Sequence, residues 1–212
     1  MGHPSRPYRS TLREEQARAT RRRIVTAGRE LFVNDGYART TVDAIAARAG
    51  VSRKTVFTSV GGKAAVLKLA WDWTLAGDDE PVPVAERPEV IALFATTDPA
   101  DLIAGWTRLS VDIAARLAPL LQVLTVAADG DPEVAALQAT NERGRMQGAR
   151  RFVDRLIAIG GLRPDVTPDQ ATDIAAVFMD PLPVRRLVLD GGWTVEACAA
   201  LLDRMATAAL AG

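Results

Sequence analysis

Cysteine and histidine are almost missing from this chain. Cys198 is the single cysteine and His3 the single histidine. One thiol excludes an intramolecular disulfide and any zinc site built on a cysteine cluster. The imidazole lies in a tail rich in Pro, Ser and Arg, so the body has none for metal binding or acid–base work. No metal and no cofactor are expected, and most hydrolase mechanisms are disfavoured. Long apolar runs are missing as well: no stretch approaches the ~20 uninterrupted residues of a membrane span. The start is polar and basic, unlike a signal peptide. The expectation is a soluble cytoplasmic protein with no membrane partner. Nearly half of the 212 residues are hydrophobic, which excludes a disordered chain and is enough for a real core.

Net charge is absent only in the sum. Residues 1–63 hold thirteen Lys/Arg against five Asp/Glu, a net of +8, and residues 64–212 carry the compensating −8. A basic head on an acidic body points to a polyanionic partner.

Alternating strand-like runs are missing, and long windows follow the 3.6-residue period, so the chain reads as all-α. Residues 1–13 read as a disordered basic arm. A first helix is expected over 14–34, with Ile24, Ala27, Gly28, Leu31 and Phe32 on its apolar face. "TTVDAIAARA" reads as a second helix, capped by Thr40 with Asp43 in a capping box. Gly50 supplies a tight turn, and Ser52 caps a short third helix that ends near Ser59. A fourth follows over 62–76. The proline-rich stretch 77–88 reads as a loop. Further helices are expected over 88–96, 99–118, 119–128, 132–159, 168–179, 182–190 and 194–210.

Two short helices joined by a glycine turn make a helix-turn-helix unit. Ala46, Ala47 and Ala49 allow the close approach that such a crossing needs. With Val56 inward and each residue turned by roughly 100°, Lys54 and Thr58 point outward. Thr55 and Phe57 flank them, and Arg53 lies near the edge. Cationic and hydroxyl side chains at the start of a projecting helix suit a major groove.

Residues 24–67 resemble the DNA-binding domain of the TetR family of bacterial transcriptional regulators. The pattern is carried by Ile24, Leu31, Phe32, Gly36–Tyr37, Thr40–Val42, Ile45–Ala46, Ala49–Ser52, Thr55–Phe57, Lys63 and Leu67. The sequence departs from the pattern at Phe57, Ser59 and Val60, where the family favours larger polar or aromatic groups. The resemblance implies that Arg53, Lys54, Thr55 and Phe57 face bases, and that Thr41, Thr58 and Lys63 hold phosphates of double-stranded operator DNA. It also implies a helix-turn-helix domain over 14–63 and a helical ligand-binding and dimerisation domain over 64–212. The function implied is a repressor, not an enzyme, released by a small-molecule effector. An all-helical enzyme with a basic hairpin, or a DNA-binding regulator with no effector, are the alternatives.

In the body, the helix over 132–159 has a gap in its apolar stripe at Asn141, Gly144 and Gly148. Either a neighbouring helix packs closely there, or a cavity lies over it. If a cavity, Trp106 is a candidate wall and Asn141 a hydrogen-bonding anchor, with Asp112 nearby, for a largely apolar ligand. The last helix is apolar over more than one face. That suggests homodimerisation through the helices near 168–190 and 194–210, with Leu202 and Met205 in the interface.

Overall fold

The computed structural model describes the backbone of residues 6–212 and the side chains from residue 13 onward. The described residues are almost wholly helical. The order is α1 (Arg6–Asp35), α2 (Val42–Ala49), α3 (Arg53–Ser59), α4 (Lys63–Ala76), α5 (Pro88–Ala95) and α6 (Pro99–Ala128). Then come α7 (Pro132–Ala158), α8 (Pro168–Phe178), α9 (Pro181–Val184) and α10 (Val195–Leu210). A 3-10 turn, Val84–Glu86, interrupts the loop after α4, and α9 runs on as a π-helical turn over Arg185–Asp190.

Four of these helices begin the same way. Asp98, Asp131, Thr167 and Asp180 each accept a backbone N–H with their side chains, and a proline takes the first helical position. Proline lacks the N–H that would have no acceptor there, and its fixed φ suits the helix. The "DP" pairs that read as breaks in the sequence are therefore helix starts.

Pro119 behaves differently. The sequence predicts two helices meeting there, but α6 runs through it. Leu117, Ala118 and Leu120 on either side are all buried. Packing of both halves into one core outweighs the hydrogen bond that proline removes. α6 is also the one described helix long and apolar enough to cross a membrane. Here it is the central core helix, covered by α1, α4, α7, α9 and α10.

Two further expectations are corrected. Residues 1–5 of the expected arm lie outside the described residues, but 6–13 belong to α1. Nothing after Pro7 in that stretch breaks a helix. The cap of α2 is Thr41, one residue later than expected, and it accepts the N–H of Ala44. Thr40 is buried instead and donates to the Gly36 carbonyl at 2.8 Å.

Ile24, Phe32, Ile45, Val56, Val66 and Leu67 form the buried centre of the head. Gly28 in α1 allows α4 to come close: a Cβ there would lie 2.3 Å from Val66 Cγ1. The C-terminal half of α6 and the start of α7 join the same core through Leu120, Leu124 and Val134. A boundary at 63/64 thus falls at the start of α4, whose buried face belongs to the head. A second core joins α6, α7, α8 and α10 around Trp106, Phe152 and Leu156. Trp106 and Phe152 are stacked, with ring centroids 4.0 Å apart.

Polar pins cross between the parts. The Tyr37 hydroxyl donates to Asp131 Oδ2 at 2.7 Å, while Asp131 Oδ1 caps α7. Burial and then that bond push the Tyr37 phenol up, and the same bond holds the Asp131 carboxyl low. Asp79, in the loop after α4, accepts from both Arg22 and Arg18 on α1. These guanidinium groups hold its carboxyl well below the usual range. Asp78 is paired with Arg87 at the far end of the same loop.

Candidate nucleic-acid interface and interior cavity

α2 and α3 meet through Gly50, which adopts φ +64° and lets its N–H cap the end of α2. A side-chain-bearing residue would be strained in that left-handed conformation. Ser52 then caps α3, accepting the N–H of Thr55 at 3.0 Å. Val56 is fully buried and fixes the rotation of α3. Arg53, Lys54, Phe57 and Thr58 consequently face solvent, as the helical period requires. Phe57 is 46% exposed, unusual for an aromatic side chain with no outward role.

The expected contact residues divide by what already holds them. Lys54 is exposed, and its ammonium has no ion-pair partner among the described residues. Arg53 is paired with Asp43 of α2 at 2.5 Å, and its guanidinium lies 5.4 Å from the centre of the Phe57 ring. Thr55 is half-buried, with its hydroxyl 2.8 Å from that of Ser52. Thr58 donates to the Lys54 carbonyl, so it must rotate outward before it can donate to a phosphate. Thr41 is exposed, and its cap uses the oxygen only as an acceptor, leaving the O–H available. Lys63 is half-buried. It donates to the Tyr37 carbonyl at 3.0 Å and sits 4.0 Å from the centre of that ring. Two of its three N–H donors remain. No side chain caps α4 at Gly62, so the first amides of that helix point outward unpaired by a cap.

In the body, a cavity of about 920 Å³ lies between α6 and α7. Trp106, Asn141, Gly144 and Gly148 all line it. The two glycines differ. A Cβ on Gly144 would meet nothing within 4 Å, so that position faces open space. A Cβ on Gly148 would lie 2.9 Å from the Met179 methyl, so there the gap is a close contact with the end of α8. Gly144 is also exposed to solvent, so the two positions of the stripe have different surroundings. The Asn141 Nδ2 is buried and has no hydrogen-bond partner. Asp112 is not in the wall: it is exposed to solvent on α6.

Several wall residues have no counterpart in the sequence-based expectation. Trp71 and Leu75 bring α4 to the cavity, and Val84 and Ala85 bring the loop that Asp79 ties to α1. Arg145, Arg151 and Arg185 supply cationic groups. The period of their own helices could have flagged Arg145 and Trp71, but no local signal marks the loop or α9 as neighbours.

Leu202 is also corrected. It is only 6% exposed and packs within its own chain beside Val111, Ala114 and Cys198. Val177 on α8 and Met205 on α10 are the outward residues, at 62% and 50% exposure.

Residues 24–70 match the family model for bacterial regulatory proteins of the tetR family. The chain is 36% identical over 75 residues to the uncharacterized HTH-type transcriptional regulator TtgW of Pseudomonas putida. That alignment covers 35% of this chain and 53% of TtgW, so this chain spans about half the length of that curated relative. Among solved structures, the fold resembles SmeT of Stenotrophomonas maltophilia in complex with triclosan, at TM-score 0.63 and 21% identity. The similarity covers 92% of both chains. It also resembles a transcriptional regulator from Saccharomonospora viridis in complex with choline, at TM-score 0.67 and 17% identity, over 91% of this chain and 97% of that one. Over residues 24–70 the chain is thus similar to the bacterial regulatory proteins of the tetR family, and that stretch is carried on an all-helical fold shared with SmeT.

Proposed function

We propose that this protein is a sequence-specific transcriptional repressor that binds operator DNA as a homodimer and leaves it when a mostly apolar small molecule enters the cavity. The observation that carries the reading is the outward face of α3. Arg53, Lys54, Phe57 and Thr58 surround a projecting helix whose rotation the buried Val56 fixes. The acidic body balances this basic head, which fits a cytoplasmic protein that meets nucleic acid with one end only. A regulator with no effector would need no such cavity.

The cavity and the head share structure. Trp71 and Leu75 on α4 line the cavity, while Val66 and Leu67 on the same helix are buried in the head. A ligand that shifts α4 changes the separation of the two recognition helices from the ~34 Å groove repeat and weakens binding. SmeT in complex with triclosan and the regulator in complex with choline support a small-molecule effector by analogy of fold. The test is retardation of intergenic DNA flanking the protein's own gene. Specific binding at low salt is expected, and failure to bind any of that DNA would overturn the reading.

Dimerisation is assigned to the faces of α8 and α10 that expose Val177 and Met205. Leu189 and Trp193 are exposed as well, at 52% and 42%. Met205→Glu should give monomers by light scattering, and should weaken operator binding because two half-sites are no longer read together. A wild-type protein that is monomeric at micromolar concentration would remove this assignment.

A further inference from the structure

The walls of the cavity are mostly apolar by area, so the polar groups set among them decide what it accepts. They are not evenly matched. Asn141 Nδ2 is a buried donor with no partner. A buried donor left unpaired is costly, and a ligand that supplies the acceptor recovers that loss. Gly144, one turn further along α7, has open space where a Cβ would be. A ligand can therefore lie directly on the helix backbone beside the amide.

The charged groups around the cavity point the same way. Glu142 and Asp180 are carboxylates of the wall, and both are engaged. Glu142 is held by Arg145 at 2.6 Å, and Asp180 Oδ1 accepts the Leu182 N–H at 2.8 Å. Arg151 and Arg185 have no carboxylate partner among the described residues. Arg151 lies 4.5 Å from the centre of the Phe94 ring and donates to the Ala85 carbonyl, and Arg185 donates to Gln122 Oε1 at 3.0 Å. Arginine offers donors only. Arg145 and Glu142 cancel one another, so a cationic ligand would meet two guanidinium groups without a carboxylate, Arg151 and Arg185, against the one carboxylate without an ion pair, Asp180.

We propose that the cavity selects a largely apolar molecule whose polar end is a hydrogen-bond acceptor, a carbonyl or carboxylate oxygen seated on Asn141 Nδ2, and that it discriminates against cations. The inference rests on the reading of the cavity as an effector site. It narrows the sequence-based expectation of a largely apolar ligand.

The experiment uses the full chain and four probes of one shape: biphenyl, 4-acetylbiphenyl, biphenyl-4-carboxylate and the biphenyl-4-ylmethylammonium cation. Trp71 and Trp106 in the wall report binding through their fluorescence. The acetyl and carboxylate probes should bind roughly 10-fold tighter than biphenyl, about one good hydrogen bond, and the cation more weakly than biphenyl. In Asn141→Leu the acetyl-to-biphenyl ratio should fall toward one. Retained binding of biphenyl by that variant shows that it is folded. If biphenyl and the cation bind as tightly as the acetyl probe, or if Asn141→Leu leaves the ratio unchanged, the class assignment is overturned while the effector site stands. If none of the four binds, biphenyl included, the effector site falls and the class assignment with it.

Discussion

Replacing Arg53 or Lys54 with alanine is expected to weaken binding to the operator by roughly 1–3 kcal/mol for each bidentate hydrogen-bonded pair to a base that disappears, and to relax sequence preference at the base concerned. A dimer gives up the pair in both half-sites, so the measured effect is about double. The two substitutions should not behave alike. Lys54 has no ion-pair partner among the described residues, so its removal takes away its hydrogen bonds to DNA and nothing else. Arg53 is held by Asp43 before any DNA arrives. Removing Arg53 leaves the Asp43 carboxylate facing the phosphates unscreened, which adds repulsion to the missing hydrogen bonds. Arg53→Ala should therefore cost more on wild-type protein than in an Asp43→Ala background. Fluorescence anisotropy on the operator and on single-base variants of it measures both quantities. Alanine variants that keep wild-type affinity and wild-type base preference would show that α3 does not read the groove.

Phe152→Ala is the second large effect, and it falls on stability. Phe152 is fully buried in the core joining α6, α7, α8 and α10. Truncation of such a residue costs about 3–5 kcal/mol, from the transfer energy forfeited and from the hole left behind. Part of the effect is specific, since the Trp106 indole stacks on this ring at 4.0 Å. In a chain of this length about 2–4 °C of melting temperature accompanies each kcal/mol, so a fall of roughly 6–20 °C is expected by calorimetry. Because Trp106 also walls the cavity, its fluorescence should shift to the red as the indole loses its fixed position. A destabilisation below about 1 kcal/mol would mean that the site collapses around the missing ring.

What was legible in the sequence follows from helical periodicity. Val56 inward and Lys54 and Thr58 outward is a matter of rotation, and rotation survives any tertiary arrangement. The gap at Asn141 and Gly144 was legible for a similar reason: small and polar residues stand at positions where the register demands bulk. What stayed hidden depends on distances that no local pattern holds. Asp43 lies on the solvent face of α2, and only the crossing angle set at Gly50 brings it to Arg53. Leu202 and Met205 both belong to an apolar face, but periodicity cannot say which side its own chain covers and which is left to a partner. Pro119 resembles a helix end because the rule against internal proline is local, while the packing that overrides it comes from five other helices. Thr40 and Thr41 are equally good caps by type, and the burial of Thr40 beneath Gly36 decides between them.

The acidic loop after α4 changes what the charge of the head means for binding. Asp79 is only 7% exposed, and with Glu80 it neutralises Arg18 and Arg22. Glu30 and Asp43 do the same for Arg48 and Arg53. These carboxylates act as counterions built into the protein. A cation so matched has not condensed a mobile anion, and it releases none when a phosphate takes its place. The log–log slope of affinity against salt, about 0.9 per phosphate neutralised, reflects ions released from the DNA. Each arginine that must first leave its own carboxylate offsets part of that gain. The head therefore meets DNA as a surface of few mobile charges, with Lys54 and its unmatched neighbours setting the slope well below what a formal +8 suggests.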